Sequence, residues 1–209
     1  MKQTKTLLLV MAAILLAAAV TTGCKGKSAA PQSEPQNAEA TETSESQYMK
    51  AIERFLSDEI GSQLAPGEVC IPVYSVVGKD EYGKYSESGG TIADTIRVWG
   101  DWWVFKYNIS GDTLLCVSGG NYPGMFCMAK EDKAYEVVAF DQVVDGAGNQ
   151  ASAQRIFGDK YDTFQSVNGN QQTRDSVRTA MTADYVRTHG LKVTMYKDFG
   201  WPAVQLPIE

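Results

Sequence analysis

The residues that most restrict the fold of this chain are the ten at positions 98–107, VWGDWWVFKY. In a β-strand, successive side chains point to opposite faces. The side chains on one face are then Trp102 and Val104, and those on the other are Trp103, Phe105 and Tyr107. Both faces are apolar, so a helix on each side would be needed to remove them from water. The pattern predicts a central strand with a covering layer on both faces.

A second interpretation of the same residues stays open. Gly100 is typical of a β-bulge, and a bulge would turn Trp99 and Asp101 toward the rim of the sheet. Aromatic rings beside a carboxylate suit the binding of sugar rings or peptide side chains. The candidate ligand-binding residues on this interpretation are Trp99, Asp101 and Trp102, with Tyr122 from a turn and Trp201 from the C-terminal tail.

Apolar spacing in the rest of the chain predicts a single α+β domain over residues 48–209. Residues 48–64 have apolar side chains at three- and four-residue intervals, which predicts a helix with Ser46 as its N-cap. A polar loop is expected at residues 79–90. Strands are predicted at residues 69–77, 95–109, 113–118, 125–129 and 134–144, and helices at residues 151–157, 161–167 and 171–188.

The short connections between these strands predict antiparallel neighbours. We therefore expect a four-stranded meander, which the strand at residues 69–77 extends to a curved antiparallel sheet of about five strands. One helix laid across such a sheet resembles the cystatin and NTF2-like folds, through the order of elements over residues 48–144. The C-terminal helices depart from the usual arrangement of those folds.

The first 23 residues have the features of a signal peptide. Lys2 and Lys5 precede an apolar run at residues 7–20. That run is too short for a membrane-spanning helix, which needs about 20 residues. We therefore expect residues 1–23 to be removed from the mature protein.

The end of this segment resembles the lipobox of bacterial lipoproteins. Thr22 and Gly23 are small residues directly before Cys24, although Thr21 stands where the family usually has leucine. The resemblance implies that Cys24 carries diacylglycerol and that its acyl chains bind the lipid bilayer. Lys25 stands where an aspartate retains many such proteins at the inner membrane, which implies an outer-membrane lipoprotein facing the periplasm. The alternative is a soluble secreted protein with a free Cys24.

Residues 24–47 connect this site to the expected domain. They contain no aromatic residue and no valine, isoleucine or leucine. Such a segment cannot bury enough apolar surface to offset the entropy of ordering it. We therefore predict a disordered tether.

The sequence contains no complete set of catalytic, cofactor-binding or metal-binding residues. His189 is the only histidine, and its position before Gly190 favours a helix C-cap over a Ser-His-Asp or zinc site. Asp145 and Gly146 resemble part of a calcium loop, but the other ligand positions do not match, which favours a strand-to-helix turn. The net charge of -6 counts against nucleic acid as a partner. We expect no cofactor and no metal.

Three cysteines lie in the expected domain, at Cys70, Cys116 and Cys127. If residues 120–123 close a hairpin, Cys116 and Cys127 lie directly opposite each other, close enough for a disulfide. The alternative is two small buried thiols.

These observations predict a membrane-anchored envelope lipoprotein that acts as a non-enzymatic binding or interaction module for a protein or glycan partner. The alternative is a carboxylate-dependent hydrolase that acts on envelope glycans, since two carboxylates suffice for glycoside cleavage. A structural role in envelope assembly is a third prediction. The sequence does not identify the partner or a pair of catalytic carboxylates.

Overall fold

The computed structural model describes residues 43–85, 93–131 and 134–208. The expected signal peptide, Cys24 and residues 25–42 of the expected tether lie outside these ranges. The described residues belong to one compact unit and have the predicted α+β architecture. The α-helices are α1 (Ser44–Phe55), α2 (Asn149–Phe157), α3 (Tyr161–Asn168) and α4 (Gln171–Thr188), and a π-helical turn at Leu56–Ile60 continues α1. The strands are β1 (Val69–Tyr85), β2 (Ala93–Ser110), β3 (Thr113–Asn121), β4 (Gly124–Glu131), β5 (Ala134–Gln142), β6 (Met195–Lys197) and β7 (Val204–Gln205).

The sheet is organised around β2, which has 18 residues and pairs with three other strands. β1 runs antiparallel along one side of it, from Val69 opposite Tyr107 to Tyr85 opposite Ala93. The other side is shared, because β4 pairs with the first half of β2 and β3 pairs with the second half. β5 lies beside β4, while β6 lies parallel to β3 and is followed by β7. The sheet of the described residues is therefore mixed and has seven strands, two of them very short, rather than about five.

The predicted meander is wrong at the connection between β3 and β4. These strands do not form a hairpin but follow each other in the same direction along β2. The backbone N–H of Tyr122 donates to the carbonyl of Trp102 at 2.7 Å, so the chain stays on β2 across the residues that predicted a turn. The prediction of a loop at residues 79–90 is also wrong for residues 79–85. These residues belong to β1, which continues to Tyr85 as the partner of the start of β2.

The two-faced pattern of residues 98–107 is confirmed. Trp102 and Val104 are fully buried under α1, in a core that includes Phe126. On the other face, Tyr107 packs in a second core beneath α4, and Trp99 packs in a third against α2 and α3. Burying side chains of this size contributes roughly 1.5–3 kcal/mol each. β2 is therefore the strand that all three cores share.

The helix α1 begins earlier than the sequence indicated. Its N-cap is Thr43 rather than Ser46, and Thr43 Oγ1 accepts a hydrogen bond from the backbone N–H of Ser46 at 3.2 Å. The last residues of the expected tether therefore belong to the helix. In its first turn, Glu45 Oε2 lies 3.7 Å from Lys79 Nζ, which places the start of α1 near the part of β1 that pairs with Val98.

Gly100 is required by close packing and not by a bulge. β2 is regular at this point, and the bulge lies in β1, where Val77 is the extra residue opposite Gly100 and Trp99. A Cβ atom at Gly100 would lie 2.7 Å from Cη2 of the buried Trp102 indole. Carbon atoms that are not bonded normally approach to only about 3.5–4 Å. A side chain at this position would therefore displace the indole.

We expect Gly100→Ala to lower the free energy of unfolding by about 1–3 kcal/mol, because overpacking displaces Trp102 from a filled core. Gly78→Ala is the matched control in β1, since its methyl group would meet only the flexible end of Lys160. Urea unfolding followed by tryptophan fluorescence measures both variants. Equal stability of the two would contradict this account of Gly100.

Candidate functional site

Three of the five predicted ligand-binding residues lie in the interior. Trp102 is fully buried, and its Nε1–H donates to the carbonyl of Gly124 at 3.1 Å. Trp99 is buried against α2, where its Nε1–H donates to the carbonyl of Ile156 at 2.7 Å. Asp101 is 1% exposed. The rim position expected for these residues is wrong, because β2 has no bulge that would turn them outward.

Asp101 is the centre of a buried hydrogen-bond network. Its Oδ1 accepts from Nδ2 of Asn121 at 2.6 Å and from Nδ2 of Asn168 at 3.1 Å. Its Oδ2 accepts from Nε1 of Trp103, also at 3.1 Å. The donors belong to β3, α3 and β2, so the carboxylate joins α3 to the sheet. A buried carboxylate satisfied in this way has a structural role, since an unpaired one would strongly destabilise the fold.

Asp101→Asn is expected to lower the free energy of unfolding by roughly 1–3 kcal/mol, because an amide nitrogen would replace an acceptor and face N–H donors. The matched control is Asp162→Asn at an exposed position of α3, which should change stability by less than about 0.5 kcal/mol. Thermal unfolding of both variants makes the comparison. If the exposed substitution cost as much as the buried one, the structural role of Asp101 would be refuted.

Arg178 joins α4 to its neighbours through several polar contacts. Its Nη1 and Nη2 each donate to one carboxylate oxygen of Asp198 at 2.7 Å. Its Nε donates to Oη of Tyr107 at 3.1 Å. Its Cζ lies 3.8 Å from the ring centroid of Phe105 and 4.5 Å from that of Tyr196. Bidentate pairing and contact with aromatic rings are the two interactions that suit a guanidinium group best.

The pKa values around this ion pair suit a structural role. Burial raises the pKa of Asp198, but the hydrogen bonds and positive charge of Arg178 outweigh this effect, and the net pKa is lowered. Burial raises the pKa of the neighbouring Cys116 to about 11. A carboxyl group that stays ionised is not a general acid, and a thiol that stays protonated is a poor nucleophile.

The lowered pKa of Asp198 predicts the pH dependence of its contribution to stability. That contribution is complete above the unfolded-state pKa, about 4, and is lost as the pH falls through the folded-state value. At neutral pH, Asp198→Asn should lower the free energy of unfolding by about 1–2 kcal/mol. In urea titrations this difference from wild type should begin to shrink below about pH 4. A difference that grew on acidification would show that the pKa is not lowered by folding.

The same ion pair holds the C-terminal arm, which we define as residues 195–207. Asp198 begins a turn in which the N–H of Trp201 donates to the carbonyl of Asp198 at 3.2 Å. Gly200 has a φ of 78°, a conformation that favours glycine. The turn leaves 98% of Phe199 and 70% of Trp201 exposed. Two large aromatic rings in water on one turn indicate a contact surface.

A groove of about 1170 Å³, the α4 groove, lies between α4 and the arm. Trp201 and Pro202 line it from the arm, and Gln171, Gln172 and Asp175 line it from the first turns of α4. These three polar side chains form no hydrogen bond or ion pair with another described residue. The groove therefore combines an exposed indole with unpaired amide and carboxylate groups.

The structure separates Trp201 from the other predicted ligand-binding residues. Tyr122 is half-buried and packs against the core under α1, on the face of the sheet opposite to α4. The groove residues Gln171, Asp175 and Arg178 were not predicted, although their spacing of four and three residues places them on one face of a helix. No local pattern in the sequence indicates that Asp198 pairs with Arg178.

Cys116 and Cys127 are free thiols. Cys116 lies opposite Tyr107 and Cys127 lies opposite Arg97. Ten residues of extended strand, about 33 Å, separate those two positions on β2. The expected cross-strand pairing is therefore wrong, because it required the hairpin that β3 and β4 do not form.

His189 is the C-cap of α4, as the sequence predicted. Its backbone N–H donates to the carbonyl of Tyr185 at 3.0 Å, and Gly190 follows with a φ of 62°.

Within residues 43–85, 93–131 and 134–208, no three His, Cys, Asp or Glu residues cluster in a way that could hold a metal ion. In the same ranges no helix is long and apolar enough to cross a membrane.

No protein family model, curated protein or solved structure matches the chain. The resemblance to the cystatin and NTF2-like folds stays a prediction, based on the order of elements over residues 48–144. Function therefore has to be inferred from the residues of the site itself.

Proposed function

We propose that this protein is a lipid-anchored component of the bacterial cell envelope that binds a partner in the α4 groove. The observation that carries the binding role is Trp201, which is 70% exposed on a turn held by the Arg178–Asp198 ion pair. A turn that presents an indole to water does not add buried apolar surface to the core. It does favour recognition, because a preorganised aromatic ring loses little freedom when a partner binds.

The proposed anchor rests on the N-terminal sequence. The signal-peptide pattern of residues 1–23 ends at Cys24, the proposed site of lipid attachment. The proposed location is the outer membrane, facing the periplasm, with the bilayer bound through the acyl chains of Cys24. Since α1 begins at Ser44, the intervening chain can separate anchor and domain by at most about 70 Å.

A non-enzymatic role has more support than the hydrolase alternative. Asp198 is paired with Arg178 and its pKa is lowered, whereas the general acid of a glycosidase requires a raised pKa. Asp101 is enclosed by three N–H donors. Binding needs neither an acid nor a nucleophile, and the exposed groups of the groove are sufficient for it. The net charge of -6 supports a partner other than nucleic acid.

Cys24→Ser tests the proposed anchor in cells grown with an alkyne-labelled palmitate. Wild type should incorporate the label and sediment with membranes, while Cys24→Ser should remain unlabelled and leave the membrane fraction. Cys127→Ser is the matched control, because it removes a thiol within β4 and should behave as wild type. Continued sedimentation of Cys24→Ser with membranes would refute the anchor.

A further inference from the structure

We propose that the α4 groove binds an uncharged glycan chain, with one sugar ring stacked on Trp201 and hydroxyl groups bound by the first turns of α4. This inference rests on the proposed binding function and specifies the chemical class of the ligand.

The arm provides a stacking surface that exists before the ligand binds. Trp201 lines the groove with 70% of its surface exposed, and Pro202 continues the same wall. The apolar face of a sugar ring packs on a flat indole, while the hydroxyl groups at the ring edge stay available for hydrogen bonds. The Arg178–Asp198 pair holds the start of the turn, so the backbone that carries the indole needs little reorganisation.

The α4 wall provides hydrogen-bond groups that match hydroxyls. Gln171 and Gln172 each carry an amide, which both donates and accepts, and Asp175 carries a carboxylate, which accepts. A sugar hydroxyl also donates and accepts, so it can pair with either amide in both directions and can donate to the carboxylate. Ser176 and Thr179 lie on the same wall, but their hydroxyls already donate to backbone carbonyls of α4. The two glutamines and Asp175 are therefore the side chains of this wall whose hydrogen-bond groups are all left for a ligand.

The charge of the groove selects against an acidic ligand. Arg178 lines it, but its guanidinium is bound to Asp198 and Tyr107. The side chain of Asp175 remains exposed, and its negative charge has no ion-pair partner among the described residues. A ligand carboxylate or phosphate would therefore meet repulsion, because the described residues that line the groove include no cation other than Arg178, which is already paired with Asp198. An uncharged, hydroxyl-rich chain avoids this repulsion.

The shape of the groove favours a glycan chain over a peptide or a single sugar. Its volume of about 1170 Å³ exceeds the roughly 300–1000 Å³ of sites for small molecules, so several sugar units fit. A peptide that binds as an added strand needs a long free edge. The strands of the arm, β6 and β7, have only three and two residues. The arm therefore presents the flat ring of Trp201 for ligand contact, and its strands are too short to bind a peptide as an added strand.

Phe199 supplies a matched control within the same turn. It is 98% exposed but does not line the groove, whereas Trp201 is 70% exposed and does. Loss of either ring removes exposed aromatic area from the turn. Only loss of Trp201 removes the proposed stacking surface. The two variants therefore separate a glycan groove from a general apolar tip.

The experiment is calorimetric titration of the full lipidated chain, purified in a detergent without a sugar headgroup. The probes are cellotetraose, chitotetraose and maltotetraose, with tetragalacturonate as the acidic comparison. We expect at least one neutral tetrasaccharide to bind and tetragalacturonate to bind about tenfold more weakly or not at all. Trp201→Ala should weaken binding by about tenfold or more, and Phe199→Ala should leave it within about twofold. Trp201→Phe, which keeps a ring, should weaken it less than Trp201→Ala.

Asp175→Asn adds a readout that a change in folding would not produce. It replaces the unpaired charge by an amide, so it should reduce the preference for neutral over acidic tetrasaccharides rather than abolish binding. Gln171→Ala should weaken binding of the neutral chain without changing that preference. Circular dichroism and thermal unfolding establish that each variant is folded.

Several results would overturn the glycan assignment. These are failure of every neutral tetrasaccharide to bind, equal losses in Phe199→Ala and Trp201→Ala, or tighter binding of tetragalacturonate. Adsorption to vesicles of phosphatidylethanolamine and phosphatidylglycerol that required both rings would assign the turn to the lipid surface instead. Cleavage of a tetrasaccharide would overturn the non-enzymatic role. The proposed anchor is tested separately by Cys24→Ser and can stand or fall without these results.

Discussion

The contacts of Arg178 connect the parts of this protein that form the α4 groove. The guanidinium group joins α4 to Tyr107 on β2 and to Asp198 at the start of the aromatic turn. Phe105 and Tyr196 contact it as well, so the charge is enclosed by partners that suit it. Ala183 and Val186 of α4 also pack with Tyr196 and Leu206 of the arm in the second core. Arg178 adds the charged contact that joins the two sides of the α4 groove.

Much of the fold could be predicted because its determinants are local. The alternation of residues 98–107 requires two covered faces, and the structure covers one with α1 and the other with α4 and the helices before it. The connection between β3 and β4 could not be predicted in this way. Its Asn, Pro and Gly residues are typical of a turn, but a hydrogen bond from Tyr122 to Trp102 keeps the segment on β2. That contact joins residues which the local pattern does not relate.

The candidate site was less predictable than the fold. Trp201 was predicted and lies on the surface, but Trp99, Asp101 and Trp102 were assigned to a rim that β2 does not form. The error came from Gly100, since a glycine in a strand indicates either a bulge or a close approach of another group. Here the indole of Trp102 takes the space. The groove residues Gln171, Asp175 and Arg178 were not predicted, because a polar face of an exposed helix usually indicates only contact with water.

The placement of α1 and the arm on β2 has a mechanical consequence. The start of α1 lies beside Lys79, at the level of Val98, whereas the arm is held at the level of Tyr107 on the opposite face. Nine residues of strand, about 30 Å, separate the two levels. Tension between an N-terminal attachment and a captured ligand would therefore act at two levels and on two faces of β2. The strand would share that load with β1, β3 and β4, which pair with it over this length.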